Sequence, residues 1–255
     1  AKAFFNLGNA LRDVGNDTGA LDAYVRALAI HPGYAEVHYN RGVVYQRAQK
    51  PDLALAAYEH AIGSDPDHVN ALVNQGVLLA RAGRSKAAVE TLERAAEIAL
   101  DRADIHYNLA LALERMGGRE VVPVYRKALR ISPGYEDAAI NLALVLRKAG
   151  KPKEAIEVYR SVLEANPAAK RAAYNLAAEL DRSGEAGEAI DIYRHVWESG
   201  GESGTFSRFR MGSLFAASGK TDSARTALEE FKKVWEGDAR VLRSAESLLG
   251  QMKGR

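Results

Sequence analysis

Small and bulky apolar residues recur along this chain in a fixed order, with a period of 34 residues. Counted from Ala1, positions 8, 20, 24, 27 and 32 read Gly8, Ala20, Tyr24, Ala27 and Pro32. The next two windows read Gly42, Ala54, Tyr58, Ala61, Pro66 and Gly76, Ala88, Leu92, Ala95, Leu100. Looser copies follow as Ala110, Tyr125, Ala128, Pro133, then Ala143, Ala155, Tyr159, Val162, Pro167. The last two are Ala177, Ala189, Tyr193, Val196 and Gly212, Ala224, Leu228, Phe231. Small residues let two helices approach closely, and a bulky residue fills the space between them. A proline then stops the second helix. Gly15, Gly83, Gly117, Gly150, Gly184 and Gly219 suit a helix C-cap in the middle of each window. Asp17, Ser85 and Thr221 suit the following N-cap, and Pro51 and Pro152 the first helical turn. Each window thus predicts a helix A, a short turn and an antiparallel helix B.

The windows span 1–34, 35–68, 69–102, 103–135, 136–169, 170–204 and 205–238. Two register faults interrupt them. One residue is missing between Gly117 and Val121, so helix B of the fourth window should start late, with Pro123 in its first turn. One residue is added in Ser199-Gly200-Gly201-Glu202-Ser203-Gly204, which reads as a Gly/Ser loop and a candidate hinge. After the seventh window, Val241, Leu242, Ala245, Leu248, Leu249 and Met252 fall on one helical face. This predicts a helix over 239–255 that covers the last open face. No such cap precedes Phe4, so an exposed apolar end is expected there, through which copies would associate.

The pattern resembles the tetratricopeptide repeat family, whose repeats carry Trp at 4, Leu-Gly at 7 and 8, Tyr at 11, Ala at 20, Phe at 24 and Pro at 32. Position 4 here holds Phe4, His38, Leu72, His106, Ala139, Ala173 and Arg208, so the Trp is absent throughout. The resemblance covers residues 1–238 and implies an all-α fold, a right-handed α-solenoid superhelix of seven helix-turn-helix repeats.

Composition changes this picture little. The chain has 255 residues, 47% hydrophobic and 27% charged, with a formal net charge of +2. That balance gives no reason to expect nucleic acid. No apolar run is long enough to span a membrane. Cys is absent, which excludes disulfides and thiolate metal sites. A soluble protein is expected, cytoplasmic rather than periplasmic. The opening Ala1-Lys2-Ala3-Phe4 reads as a piece of a longer protein.

Candidate chemistry is sparse. Ser218-Gly219-Lys220-Thr221 ends like a phosphate-binding loop, but Leu214 stands where its first Gly is needed, and the repeat explains it as a turn. The six His lack the spacing of a helical metal site, and His38 and His106 both fall in a packing column. Tyr24, Tyr58, Tyr125, Tyr159 and Tyr193 read as core between the helices of a repeat. Neither catalysis nor a cofactor is expected.

The binding signal is a column of amides. Position 6 holds Asn6, Asn40, Asn74, Asn108, Asn141 and Asn175, then Arg210. Positions 2, 5, 6, 9, 12 and 13 form one stripe of helix A at spacings of three and four. In the family that stripe lines the concave surface. An amide matches a peptide backbone, which offers one N–H and one C=O per residue. The column resembles the Asn ladder of the repeat domain of O-linked N-acetylglucosamine transferase, which grips extended peptides. His106-Tyr107-Asn108-Leu109 and the later Tyr125, Ala128, Leu129, Ile131 and Pro133 are similar to its repeat wording. Position 13 adds Arg47, Arg81, Arg115, Lys148 and Arg182, and position 5 adds Phe5, Tyr39, Tyr107, Tyr174 and Phe209. The cations favour acidic side chains or a terminal carboxylate. They also suit the helix C-terminus without any ligand. The aromatics are expected to edge the groove. The carboxylate clamp of some family members is matched by Asn9 and Asn40 but not by Phe5, Asn70 or Asn74. A protein or peptide partner, extended and polar or acidic, is therefore expected. The alternatives are the substrate-selecting domain of a glycosyltransferase-type enzyme, or a scaffold in an envelope or secretion assembly. As groove residues, Asn74, Asn108 and Asn141 are expected to be dispensable for stability.

Overall fold

The computed structural model describes residues 1–118 and 120–253, with the side chains of residues 202 and 253 left out. Arg119, and Gly254 and Arg255 of the expected terminal helix, lie outside the described residues. The described chain is all-α and divides into two compact units, Ala1–Ile131 and Ser132–Arg255.

The first unit is a solenoid of antiparallel pairs: α1 (Lys2–Asp13) with α2 (Asp17–Ile30), α3 (Ala35–Arg47) with α4 (Pro51–Ser64), α5 (Val69–Arg81) with α6 (Ser85–Ile98), and α7 (Ala103–Arg115) with α8 (Val121–Ile131). The second continues the pattern with α9 (Glu136–Lys148) and α10 (Pro152–Ala165), α11 (Lys170–Ser183) and α12 (Ala186–Glu198), and α13 (Gly201–Ala217) and α14 (Thr221–Val234). Its last helix, α15 (Ala239–Lys253), lays Ala245 and Leu249 on Leu228 and Phe231.

Within each pair the core is set by one bulky side chain. Tyr24, Tyr58, Tyr125 and Tyr193 are fully buried between their helices. A Cβ added at Gly42 would lie 2.4 Å from the Tyr58 ring, so the absent side chain is what admits the ring. Burial lifts the Tyr58, Tyr159 and Tyr193 hydroxyls to a pKa of about 12.

The tight A–B turn is a Schellman motif. At the end of α1, Gly15 N donates to Arg12 O (3.0 Å) and Asn16 N to Leu11 O (2.8 Å). The residue that closes helix A is also the N-cap of helix B. The N-cap therefore falls one position before the sequence expectation. Asn16 caps α2 and accepts from Gly19 N, and Asp17, Ser85 and Thr221 are the first helical residues. Pro51 and Pro152 open α4 and α10 as expected, and Pro123 lies in the first turn of the shortened α8. Ser218-Gly219-Lys220-Thr221 is the turn into α14, with Gly219 at φ 74°.

The Gly/Ser stretch corrects an expectation. It is not a loop: Gly201–Ala217 is helical, and only Ser199 and Gly200 separate it from α12. Gly204 is buried, and a Cβ there would sit 3.1 Å from Trp197 O. The glycine serves a close approach of two helices rather than a hinge. Thr205 and Ser207 direct their hydroxyls back to Gly201 O and Ser203 O, which further occupies the first turns.

At the start of the first unit, Leu7 is 49% exposed, whereas Leu109, Leu142 and Leu176 at the same repeat position are buried. Among the described residues no helix is long and apolar enough to cross a membrane.

Candidate functional site

The amide column does not behave as a uniform row. In the first unit Asn40 is buried. Its Nδ2 donates to Asn9 Oδ1 (3.1 Å), and its Oδ1 accepts from Arg12 Nη1 (2.9 Å). The Tyr24 hydroxyl donates to the same Asn9 oxygen at 2.7 Å. One repeat later, Asn74 Nδ2 donates to the Tyr58 hydroxyl (3.2 Å), which itself donates to Gln46 Oε1 (2.9 Å). At Asn40 and Asn74, position 6 thus ties helix A to polar groups of the preceding repeat: Asn9 and Arg12 in one case, the Tyr58 hydroxyl in the other. Where Asn is replaced by Arg210 in the second unit, the guanidinium pairs with Asp181 and lies against the Tyr193 hydroxyl, outside regular hydrogen-bond geometry.

These bonds correct the expectation that the amides stand clear of the core. Asn74, Asn108, Asn141 and Asn175 are half-buried, and Asn6 alone of the column is exposed. Asn6, Asn108 and Asn175 make no side-chain hydrogen bond among the described residues. The Tyr column holds the part the sequence reading missed. Its rings are core, but the Tyr24 and Tyr58 hydroxyls meet polar side chains of helix A, and Tyr125 likewise points to Glu114 Oε2 (3.3 Å). The signal was present, since the family pattern asks for Phe at that position and five windows carry Tyr.

The position-5 aromatics also sit deeper than expected. Tyr39 packs on Tyr58 (ring centroids 5.9 Å) and on His68 (4.9 Å). Tyr107 packs on Tyr125 (6.2 Å) and Tyr174 on Tyr193 (5.5 Å). All three are half-buried, because a flat ring gains more against the Tyr core than against water.

The cationic column is mostly spoken for. Arg47 pairs with Asp17 and donates to Arg12 O (3.3 and 3.2 Å). Arg115 donates to Ala80 O at 2.6 Å. Both add a second donor to a turn carbonyl at the end of the preceding helix A, where a cation is favoured. Arg182 pairs with Glu179 (2.7 Å), itself approached by Arg147 (3.6 Å). Arg81 is exposed and has no hydrogen-bond or ion-pair partner among the described residues.

Arg81 opens onto a hollow of about 460 Å³ between α3, α4 and α5, together with Gln46, Arg47, Gln49, Tyr58 and Asn74. Gln49 is the non-glycine residue at positive φ (56°) among the described residues, at the position where Gly15, Gly83, Gly150, Gly184 and Gly219 serve elsewhere. His38 and His106 lie in the packing seam, and burial lowers the pKa of both. His38 Nε2 meets Pro32 O at 2.7 Å. Among the described residues no group of three or more His, Asp or Glu is placed to hold a metal ion.

Family models place this architecture. A TPR repeat model matches residues 8–49, and tetratricopeptide repeat models match 39–103, 140–196 and 206–235. The chain belongs to the tetratricopeptide repeat family. It is built as a protein-interaction module of that kind, and such repeats generally serve as non-catalytic scaffolds. No curated protein matches it in sequence. Among solved structures, the C-terminal part of a TPR repeat-containing protein from Cytophaga hutchinsonii is similar over 94% of this chain and 98% of that one. Its TM-score is 0.75 at 16% identity. MamA is similar at 25% identity over 63% of this chain and 95% of that one, with a TM-score of 0.59. YrrB, a TPR protein with an unusual peptide-binding site, is similar at 19% identity over 69% of this chain and 91% of that one, with a TM-score of 0.55.

Proposed function

We propose that these tetratricopeptide repeats bind an extended, polar or acidic segment of a partner protein along the exposed stripe of their A helices. The observation that carries the reading is the hollow beside α3 and α5. It gathers Gln46, Asn74 and Arg81, from positions 12, 6 and 13 of neighbouring repeats, into one open surface. Amides and a cation of that kind match the N–H, C=O and carboxylate groups of an extended acidic chain. Asn6, Asn108 and Asn175 keep their amides available for a peptide main chain, which supports the likeness to the Asn ladder of O-linked N-acetylglucosamine transferase. YrrB, with its peptide-binding site, is a fold neighbour and supports the same use of the scaffold.

The test replaces Asn6, Asn108 and Asn175 by Ala together, since these amides carry no bond of the fold. Binding to an array of extended peptides should weaken by about tenfold, corresponding to roughly 1.4 kcal/mol. An unchanged array profile, with the helical spectrum intact, would remove the groove reading.

A further inference from the structure

We infer that the hollow around Arg81 is a carboxylate subsite, built to anchor one acidic group of the peptide; this rests on the groove reading above. Three observations converge on it. The first is the state of the cation. Arg47 and Arg115 occupy the same repeat position on either side, and both reach back to the preceding helix end, at Arg12 O and Ala80 O. Arg81 makes no such contact among the described residues; it is exposed and lines the hollow, and its guanidinium carries five donors. A guanidinium left without a partner between two that are tied down is available for a planar, bidentate anion.

The second observation is Gln49. It holds a left-handed backbone (φ 56°) that a glycine adopts freely, and glycine fills the equivalent turn in most other repeats. Strain of that kind persists where the side chain has a use. Gln49 lines the same hollow as Arg81, and its side chain carries an amide that can donate to an anion. The third is the neighbouring charge. Arg47 also borders the hollow, and its own carboxylate partner Asp17 is not among the lining residues. The lining contains no carboxylate, and with Arg47 paired to Asp17 the uncompensated positive charge at the hollow is that of Arg81. The clamp that other members of the family use is not formed by these positions.

The carboxylate could come from a Glu or Asp side chain or from a chain end, and the experiment separates the two. Three fluorescein-labelled twelve-residue Gly/Ser peptides are compared at low ionic strength: one with four Glu and an amidated end, one with four Gln and an amidated end, and one with four Gln and a free end. The wild-type chain should prefer the first or the third over the second by about tenfold, and the preferred one names the source. Arg81→Gln should reduce that preference to less than about twofold and leave the Gln, amidated peptide unaffected, while Arg47→Gln should retain most of it. Equal wild-type binding of all three peptides would overturn the subsite and leave the groove standing, as would a preference that survives Arg81→Gln. Binding of none would overturn the groove reading and the subsite with it.

Discussion

The Asn40 amide donates to Asn9 Oδ1 across 3.1 Å, joining α3 to α1 through two side chains 31 residues apart. The same oxygen receives the Tyr24 hydroxyl, so the bond lies in a knot that spans a repeat boundary. Most of the free energy that joins repeats comes from stacked apolar faces. A buried polar knot adds register: it is satisfied in one arrangement of neighbouring A helices and leaves orphaned groups in any other.

Removing the amide should therefore cost stability where it is tied and little where it is free. Asn40→Ala should destabilise by about 1–3 kcal/mol, because Arg12 and Asn9 lose partners in a half-buried setting. Asn6→Ala, at an exposed and unbonded amide, should stay within about 0.5 kcal/mol. The shift in urea midpoint, compared between the two variants, checks the contrast; equal shifts would contradict it.

Gln49→Gly should stabilise the fold by about 1 kcal/mol, since glycine adopts the left-handed turn without steric penalty. Part of the gain is offset by the extra freedom of glycine in the unfolded chain. Differential scanning calorimetry should show a higher unfolding temperature. A lower one would mean that the Gln49 side chain contributes more to the fold than its backbone costs.

His38 and His106 are held below the ordinary histidine value near 6.5, primarily by burial. Their unfolded forms take up protons first as the pH falls. Their contribution is therefore complete above the unfolded value and is lost as pH drops through the window below about 6.5. Urea midpoints at pH 7.5 and 5.5 should differ, and the difference should narrow in His38→Phe/His106→Phe. Phe is chosen because Phe4 fills the same repeat position in the first repeat. An unchanged difference would place the acid sensitivity elsewhere.

Arg208 is buried, lies 3.5 Å above the centroid of the Trp197 ring and pairs with Glu230. Glu230→Ala should cost about 1–2 kcal/mol, less than a fully enclosed pair because Glu230 is partly exposed. Replacing both residues by Leu should recover most of the loss, because no buried charge is then left alone. Chemical denaturation of the single and double variants gives the comparison.

The sequence by itself determined the repeat. A bulky residue every 34 positions, flanked by small ones and stopped by Gly and Pro, has one economical packing. That packing is a pair of antiparallel helices stacked on the next pair. The late start of α8 was legible for the same reason, since Pro123 is tolerated only in a first turn. The Gly/Ser stretch was misread because glycine serves both loops and close helix contacts, and only the Trp197 backbone 3.1 Å away selects the second use. The tertiary structure alone decided which polar groups of the A-helix stripe are free. Asn40 and Asn6 share a repeat position and a side chain, yet one is buried in a knot and the other faces water. Arg81 and Arg115 likewise share a position, yet only one finds a carbonyl. Period and residue type fix where a side chain stands on its helix. Whether it is free depends on what the neighbouring repeat places within about 3 Å of it, which is a property of the packed pair and not of either segment.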